Sequence, residues 1–215
     1  MHQPNKPKNM FVEEAQWIAE CLQCLSLTSD DHIGNIGSSN EVFRKQIQPH
    51  IHQEIFAPLE YKQIPVVHID QKLDEGIDLV ADVTVPFAHT HLDNQFSVLL
   101  CNNLLEHVTD INLVCKNLVQ WCAANGYLLL TVPYKYPKHE DPIDNMFRPT
   151  PTEIVGLFVN VDIAVIHQKV ITINRIENYP IKKSAYPIWG YRNRIKYFFG
   201  FRYKVSGVLI KLMQK

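Results

Sequence analysis

The chain has 215 residues, 46% of them hydrophobic and 20% charged, with a formal net charge of −1. That composition is ordinary for a soluble globular protein, and the length suits one domain able to bury a core without a disulfide or metal staple. The near-neutral charge argues against a nucleic-acid binder, and no apolar run approaches the roughly 18 residues of a membrane span.

Residues 1–9 are polar, with two prolines and two lysines, and read as a flexible tail rather than a signal peptide. With five cysteines, an odd count, a reducing cytoplasm is expected. From Met10 to about Leu27 the apolar residues Phe11, Ala15, Ile18, Leu22 and Leu25 recur at helical steps. Cys21 and Cys24 form C-x-x-C within that helix; no second pair answers them, so buried thiols are expected rather than a metal or redox site. His32–Gly37 reads as a strand running into the turn Ser38-Ser39-Asn40, with a helix over Glu41–His52. Strands follow at 65–70, ending on Asp70, and at 79–82, ending on Asp82. Gln95–Asn103 is a strongly apolar strand, Leu104–Ala124 a helix stopped by Asn125-Gly126, and Tyr127–Pro133 another buried strand. Thr150, Pro151 and Glu153 open a helix to Val159. Val161–Ile176 reads as one or two strands and Ser206–Met213 as the last.

Strands alternating with helices predict an α/β fold, a mostly parallel sheet covered on both faces. Ligands in such sheets sit beyond the carboxyl ends of the strands. The polar residues that end strands are therefore the informative ones: Gly37-Ser38-Ser39, Asp70, Asp82 and Asn102-Asn103.

In this order the pieces resemble the class I methyltransferases that use S-adenosylmethionine. Ile33-Gly34-Asn35-Ile36-Gly37-Ser38-Ser39 is similar to the family's glycine-rich loop, with Ser39 at the usual second glycine and Asn35 at the usual acid. Val66–Asp70 resembles the second strand and its acid. Asp82, then Pro86-Phe87, resembles a D-x-x-x-L-P-F stretch, and Leu105-Glu106-His107-Val108 the L-E-H-V that follows. Residues Pro133 to Thr150, with His139, Asp141-Pro142, Asp144 and Arg148, resemble a subgroup that often acts on sugars or lipid-linked glycans. The resemblance implies a Rossmann-like, seven-stranded, mostly parallel sheet whose last strand is antiparallel. It implies S-adenosylmethionine as cofactor, held by Gly37, Ser38 and Ser39, by Asp70 with Gln71 beside it, by Asp82 and Val83, and by Asn102 and Asn103. A small-molecule or glycan acceptor would meet Tyr134 and Arg148, with His139 as general base.

Other readings stand beside these. Asp70 and Asp82 also suit turns, and Glu106 and His107 suit a helix start. Arg148 can pin its loop to Asp141 or Asp144. His89-x-His91 lacks a visible third ligand, so no metal is expected. Residues 178–215 hold nine basic and no acidic residues, +9, against −10 for the rest (12 basic, 22 acidic). This aromatic, basic segment reads as a lid, as packed core, or as peripheral contact with an anionic membrane surface. Ser39 and Asn35 motivate the alternative of a methyltransferase-fold protein with lost or weakened cofactor binding.

Overall fold

The computed structural model describes residues 10–86, 89–139, 143–178 and 192–213. The expected tail, 1–9, and residues 179–191 of the basic segment lie outside the described residues. Seven strands make one sheet: β1 (Ile33–Ile36), β2 (Val66–Asp70), β3 (Leu79–Val80), β4 (Phe96–Asn102), β5 (Cys122–Lys135), β6 (Ile163–Thr172) and β7 (Lys204–Leu212). Their order across the sheet is β3-β2-β1-β4-β5-β7-β6. Strands β1 to β5 pair in parallel, while β7 runs antiparallel to both β5 and β6. The Rossmann-like sheet with an antiparallel last strand is thus the observed one.

Alternation along the central strands explains why they lie inside. Leu99, Cys101, Leu128 and Leu130 join one apolar cluster, and Val98, Leu100 and Leu129 the other. Successive side chains on a strand face opposite sides, so a strand apolar at every position needs cover on both. On one face lie α4 (Ile111–Trp121) and α5 (Pro151–Gly156), which contribute Val114, Leu118 and Ile154. The other is covered by α1 (Val12–Gln23) and the helical segment that links β1 to β2. Trp17 of α1 lies against Gly207 of β7, where any side chain would collide with the indole. Thr150 and Glu153 cap α5 reciprocally: Glu153 N donates to Thr150 Oγ1 at 3.2 Å and Thr150 N to Glu153 Oε2 at 2.7 Å.

Three expectations need correction. The helix expected over Glu41–His52 is a longer, irregular path. Two π-helical turns, Phe43–Ile47 and His52–Phe56, flank α2 (Pro49–Ile51) and lead into α3 (Ala57–Tyr61). Gln48 leaves the helical region (φ −127°, ψ 67°) because it precedes Pro49, whose ring disfavours α geometry in its neighbour. The helix expected from Leu104 starts only at Ile111, because Asp110 adopts extended geometry and accepts from Leu113 N at 2.9 Å. Glu106 and His107 therefore lie in a short 3-10 turn, Leu105–His107, between β4 and α4. Cys24 is exposed, unlike the buried Cys21, and both are free thiols.

No helix among the described residues is long and apolar enough to cross a membrane.

Candidate active site

The parallel register brings the ends of β1 to β4 to one edge: Ile36 sits opposite both Ile69 and Cys101, and Asp70 opposite Val80. The turn after β1 is tight. Gly37 and Ser39 have φ of 66° and 54°, so Ser39 takes up the left-handed geometry that favours glycine. In that conformation Ser39 N donates to Asp70 Oδ2 at 3.2 Å, joining the turn to the acid of β2. Asp70 Oδ1 also accepts from Lys72 N at 3.3 Å. At Asn35 the side-chain amide lies 3.2 Å from His68 Nδ1, its neighbour across the β1–β2 ladder. Burial holds the His68 imidazole down at about 4, which fits a neutral amide partner.

Arg44, which the sequence offered only as one helical residue among several, supports this turn from below. It is 3% exposed. Its guanidinium donates to the Ser38 carbonyl at 3.3 Å, to the Ser39 carbonyl, and to the Gly76 carbonyl at 2.8 Å. Five fixed donors on a planar group suit a cage of carbonyls. Burial lowers its basicity from the ordinary value.

Beyond β3 the Asp82 carboxylate accepts from Thr84 N at 2.8 Å and from Thr84 Oγ1 at 2.6 Å, while Asp82 N meets His89 Nε2 at 3.1 Å. Asn117 of α4 donates to the carbonyls of Val83 and Val85, at 2.7 and 3.1 Å, and so fixes this loop. Gln71 is exposed at the edge beside Asp70.

Asn102 and Asn103 end β4, and their side chains run into a buried network that sequence reasoning missed. Glu14 of α1 is fully buried. Its Oε1 accepts from Asn103 Nδ2 at 2.8 Å and from Thr131 Oγ1 at 2.6 Å, its Oε2 from Phe11 N at 3.3 Å, and Thr131 Oγ1 lies 3.1 Å from Asn102 Oδ1. Burial pushes the Glu14 carboxyl up to about 7 despite these donors. An acid in the first turn of a helix looks unremarkable in a sequence, and only the tertiary contact with β4 and β5 distinguishes it.

On the far side of that network the turn after β4 meets the loop after β5. Asn145 ties them: its Nδ2 donates to the carbonyls of Leu105 and Val108, each at 2.8 Å, and its N to the Glu106 carbonyl at 2.9 Å. His139 comes within 5.1 Å of His107, ring centre to ring centre, and within 5.4 Å of Tyr136. Asp144 Oδ2 is 3.2 Å from His139 Nδ1, accepts from His139 N at 3.0 Å, and pairs with Arg148 at 2.6 Å. Arg148 also donates to the carbonyls of Phe147 and Tyr136, at 3.0 and 3.4 Å, so it braces the loop as the pairing with Asp144 required. Burial lowers the His139 pKa from its ordinary value, leaving a neutral imidazole near neutral pH.

Tyr134 is elsewhere. With Tyr136, Lys135, Lys196, Phe201 and Tyr203 it lines a cleft of about 370 Å³ between the end of β5 and the C-terminal segment. The aromatic and cationic lining joins part of the basic segment to the loop of His139.

No protein-family model and no curated protein matches the chain. Solved structures match its fold. The [4+2]-cyclase SpnF aligns over 98% of this chain and 85% of its own, with a TM-score of 0.60 and 10% identity. Coclaurine N-methyltransferase bound to N-methylheliamine and SAH aligns over 97% and 74%, with a TM-score of 0.57 and 15% identity. A putative methyltransferase of Haloferax volcanii, in complex with the Trm112 methyltransferase activator, aligns over 95% and 92%, with a TM-score of 0.58 and 14% identity. The chain has the fold of the class I S-adenosylmethionine-dependent methyltransferases. At these identities the likeness is one of fold, and SpnF is named for a cyclisation.

Proposed function

We propose that the chain binds S-adenosylmethionine along the β1–β4 edge and transfers its methyl group to a small-molecule, sugar or glycan-like acceptor. The observation that carries this reading is the contact of Ser39 N with Asp70, made by a serine that adopts glycine geometry. It supports a turn whose backbone approaches the cofactor's methionine end, beside an acid placed to accept ribose hydroxyls. Gly37, Ser38 and Ser39 form that turn, with Gln71 next to Asp70. Asp82 and the Val83 amide take the adenine, and Asn102 and Asn103 stand beside the sulfonium. The cofactor supplies the reactive methyl group; the residues orient it. His139, kept neutral by burial, takes the acceptor's proton, and Tyr134 with the lysines of its cleft takes the acceptor's body. Arg148 holds the acceptor loop in shape.

Incubation with S-adenosylmethionine and a panel of sugars and lipid-linked glycans tests this. We expect release of S-adenosylhomocysteine that depends on one class of acceptor. Cofactor binding without turnover on any acceptor would favour a non-catalytic protein of the same fold, a reading that Ser39 at the second glycine position also motivates.

Exposed Phe198 and Phe199, 75% and 87% accessible on and beside α6 (Arg192–Phe198), support peripheral contact with an anionic membrane surface. Co-sedimentation with phosphatidylserine vesicles at low salt checks it, and a protein left wholly in the supernatant would refute it.

A further inference from the structure

Glu106 is 1% exposed, and neither carboxylate oxygen accepts a hydrogen bond. Its own chain successor lies beside it, with His107 Nε2 3.8 Å from Oε1. A buried carboxylate without donors is costly, by several kcal/mol if it stays ionised. Nothing in the methyl-transfer reading requires a carboxylate here. A cation would resolve the cost, and the surroundings have the form of a cation site.

One ligand atom from each of Glu106, His107 and His139 lies within 4.8 Å of the others. His107 is oriented as metal-bound histidines are. His107 Nδ1 contacts the Ile143 carbonyl, and His139 Nδ1 lies 3.2 Å from Asp144 Oδ2. With its Nδ1 turned to an acceptor, the His107 ring keeps its Nε2 lone pair for an ion, an outer arrangement that accompanies nearly every metal-bound histidine; His139 Nδ1, buried beside Asp144, makes no hydrogen bond. Asp144 is itself held by Arg148 at 2.6 Å and by Met146 N at 2.9 Å. The two segments that supply the ligands are clasped by Asn145, so the donors are gathered before any ion arrives.

We propose that Glu106, His107 and His139 form a binding site for a divalent first-row transition-metal ion. Two imidazoles and one carboxylate suit zinc, cobalt, manganese or iron(II) better than magnesium or calcium, which prefer oxygen ligands throughout. Donor atoms in a tetrahedral site stand about 3.4 Å apart, so ion binding draws these three closer together. Three protein ligands leave a coordination position open. If the methyl-transfer reading holds, on which this last role rests, that position takes the acceptor oxygen and lowers its pKa. His139 is then a ligand, and the bound ion assumes the activation otherwise assigned to that residue as a base.

The test uses untagged, chelator-treated protein without cofactor. Cobalt(II) is titrated by absorbance and zinc(II) by calorimetry, with magnesium alongside. We expect one equivalent of cobalt or zinc and no comparable magnesium binding. His107→Ala and His139→Ala should weaken zinc by more than the about 10–100-fold that loss of an outer partner costs, and Asp144→Asn by about that amount. Glu106→Gln, which removes the ionisable carboxyl and keeps the shape, should weaken the ion while raising the melting temperature of the metal-free protein. His89→Ala with His91→Ala should leave the ion in place. Absence of stoichiometric zinc or cobalt binding would overturn the proposal, as would binding unchanged in a folded His107→Ala/His139→Ala protein. Calorimetry with S-adenosylmethionine on the same sample reports the cofactor reading separately, since the metal titration needs no cofactor.

Discussion

Asp70 and Glu106 are both carboxylates at the carboxyl ends of parallel strands, Asp70 as the last residue of β2 and Glu106 in the turn after β4, and their surroundings are opposite. Asp70 is half-buried and accepts two backbone amides, from Ser39 and Lys72. Beneath it Arg44 binds the carbonyls of the same turn. Glu106 is buried with no donor, next to the buried Glu14 and a pair of neighbouring imidazoles. The first region is finished by its own hydrogen bonds, as a pre-shaped cradle for a neutral and polar ligand part must be. The second holds polar groups that protein alone leaves unmatched, which is how a site looks when its last partner comes from outside.

The comparison breaks most sharply at Arg44. Arg44→Leu leaves several buried carbonyls without a donor and should cost about 4 kcal/mol in urea unfolding, with cofactor binding lost in parallel. A loss below about 1 kcal/mol would show that the turn stands without it.

Glu14 sharpens the other side. Its folded pKa of about 7 lies above the ordinary 4.5, so the folded protein keeps a proton that the unfolded chain releases. The stabilisation is therefore fully present below about pH 4.5 and is lost as pH rises through about 7. Glu14→Gln keeps an acceptor toward Asn103 and Thr131 and does not titrate. Its stability relative to wild type should rise by about 3 kcal/mol between about pH 4.5 and pH 8. Parallel pH profiles for the two proteins would contradict this account of the network.

Smaller effects follow at the turns. Gly37→Ala places a side chain at a φ of 66° and 3.1 Å from Leu104, and should cost about 1–2 kcal/mol in thermal unfolding. Thr150→Ala removes the cap of α5 and should cost about 1 kcal/mol.

The same contrast governs what the sequence disclosed. Asp70, Asp82 and Asn102-Asn103 were legible because each follows a run of apolar residues, and a parallel sheet gathers such ends at one edge. Glu106 and His107 were read as a helix start because Leu104, Leu105, Val108 and Ile111 keep helical spacing through Asp110. Their nearness to His139 spans 32 residues from His107 and depends on Asn145, which carries no local signal. Arg44 and Glu14 sit on helices where charged residues are commonplace; only burial sets them apart. The π-helical turns around Pro49 follow from tertiary packing and left no periodic trace.

The central claim is that the Ser39–Asp70 turn holds S-adenosylmethionine. Calorimetry of the cofactor against wild type and Asp70→Ala tests it most directly. We predict micromolar binding to the wild type that Asp70→Ala abolishes without loss of fold. No binding by folded wild-type protein at millimolar cofactor, or equal binding by Asp70→Ala, would contradict it.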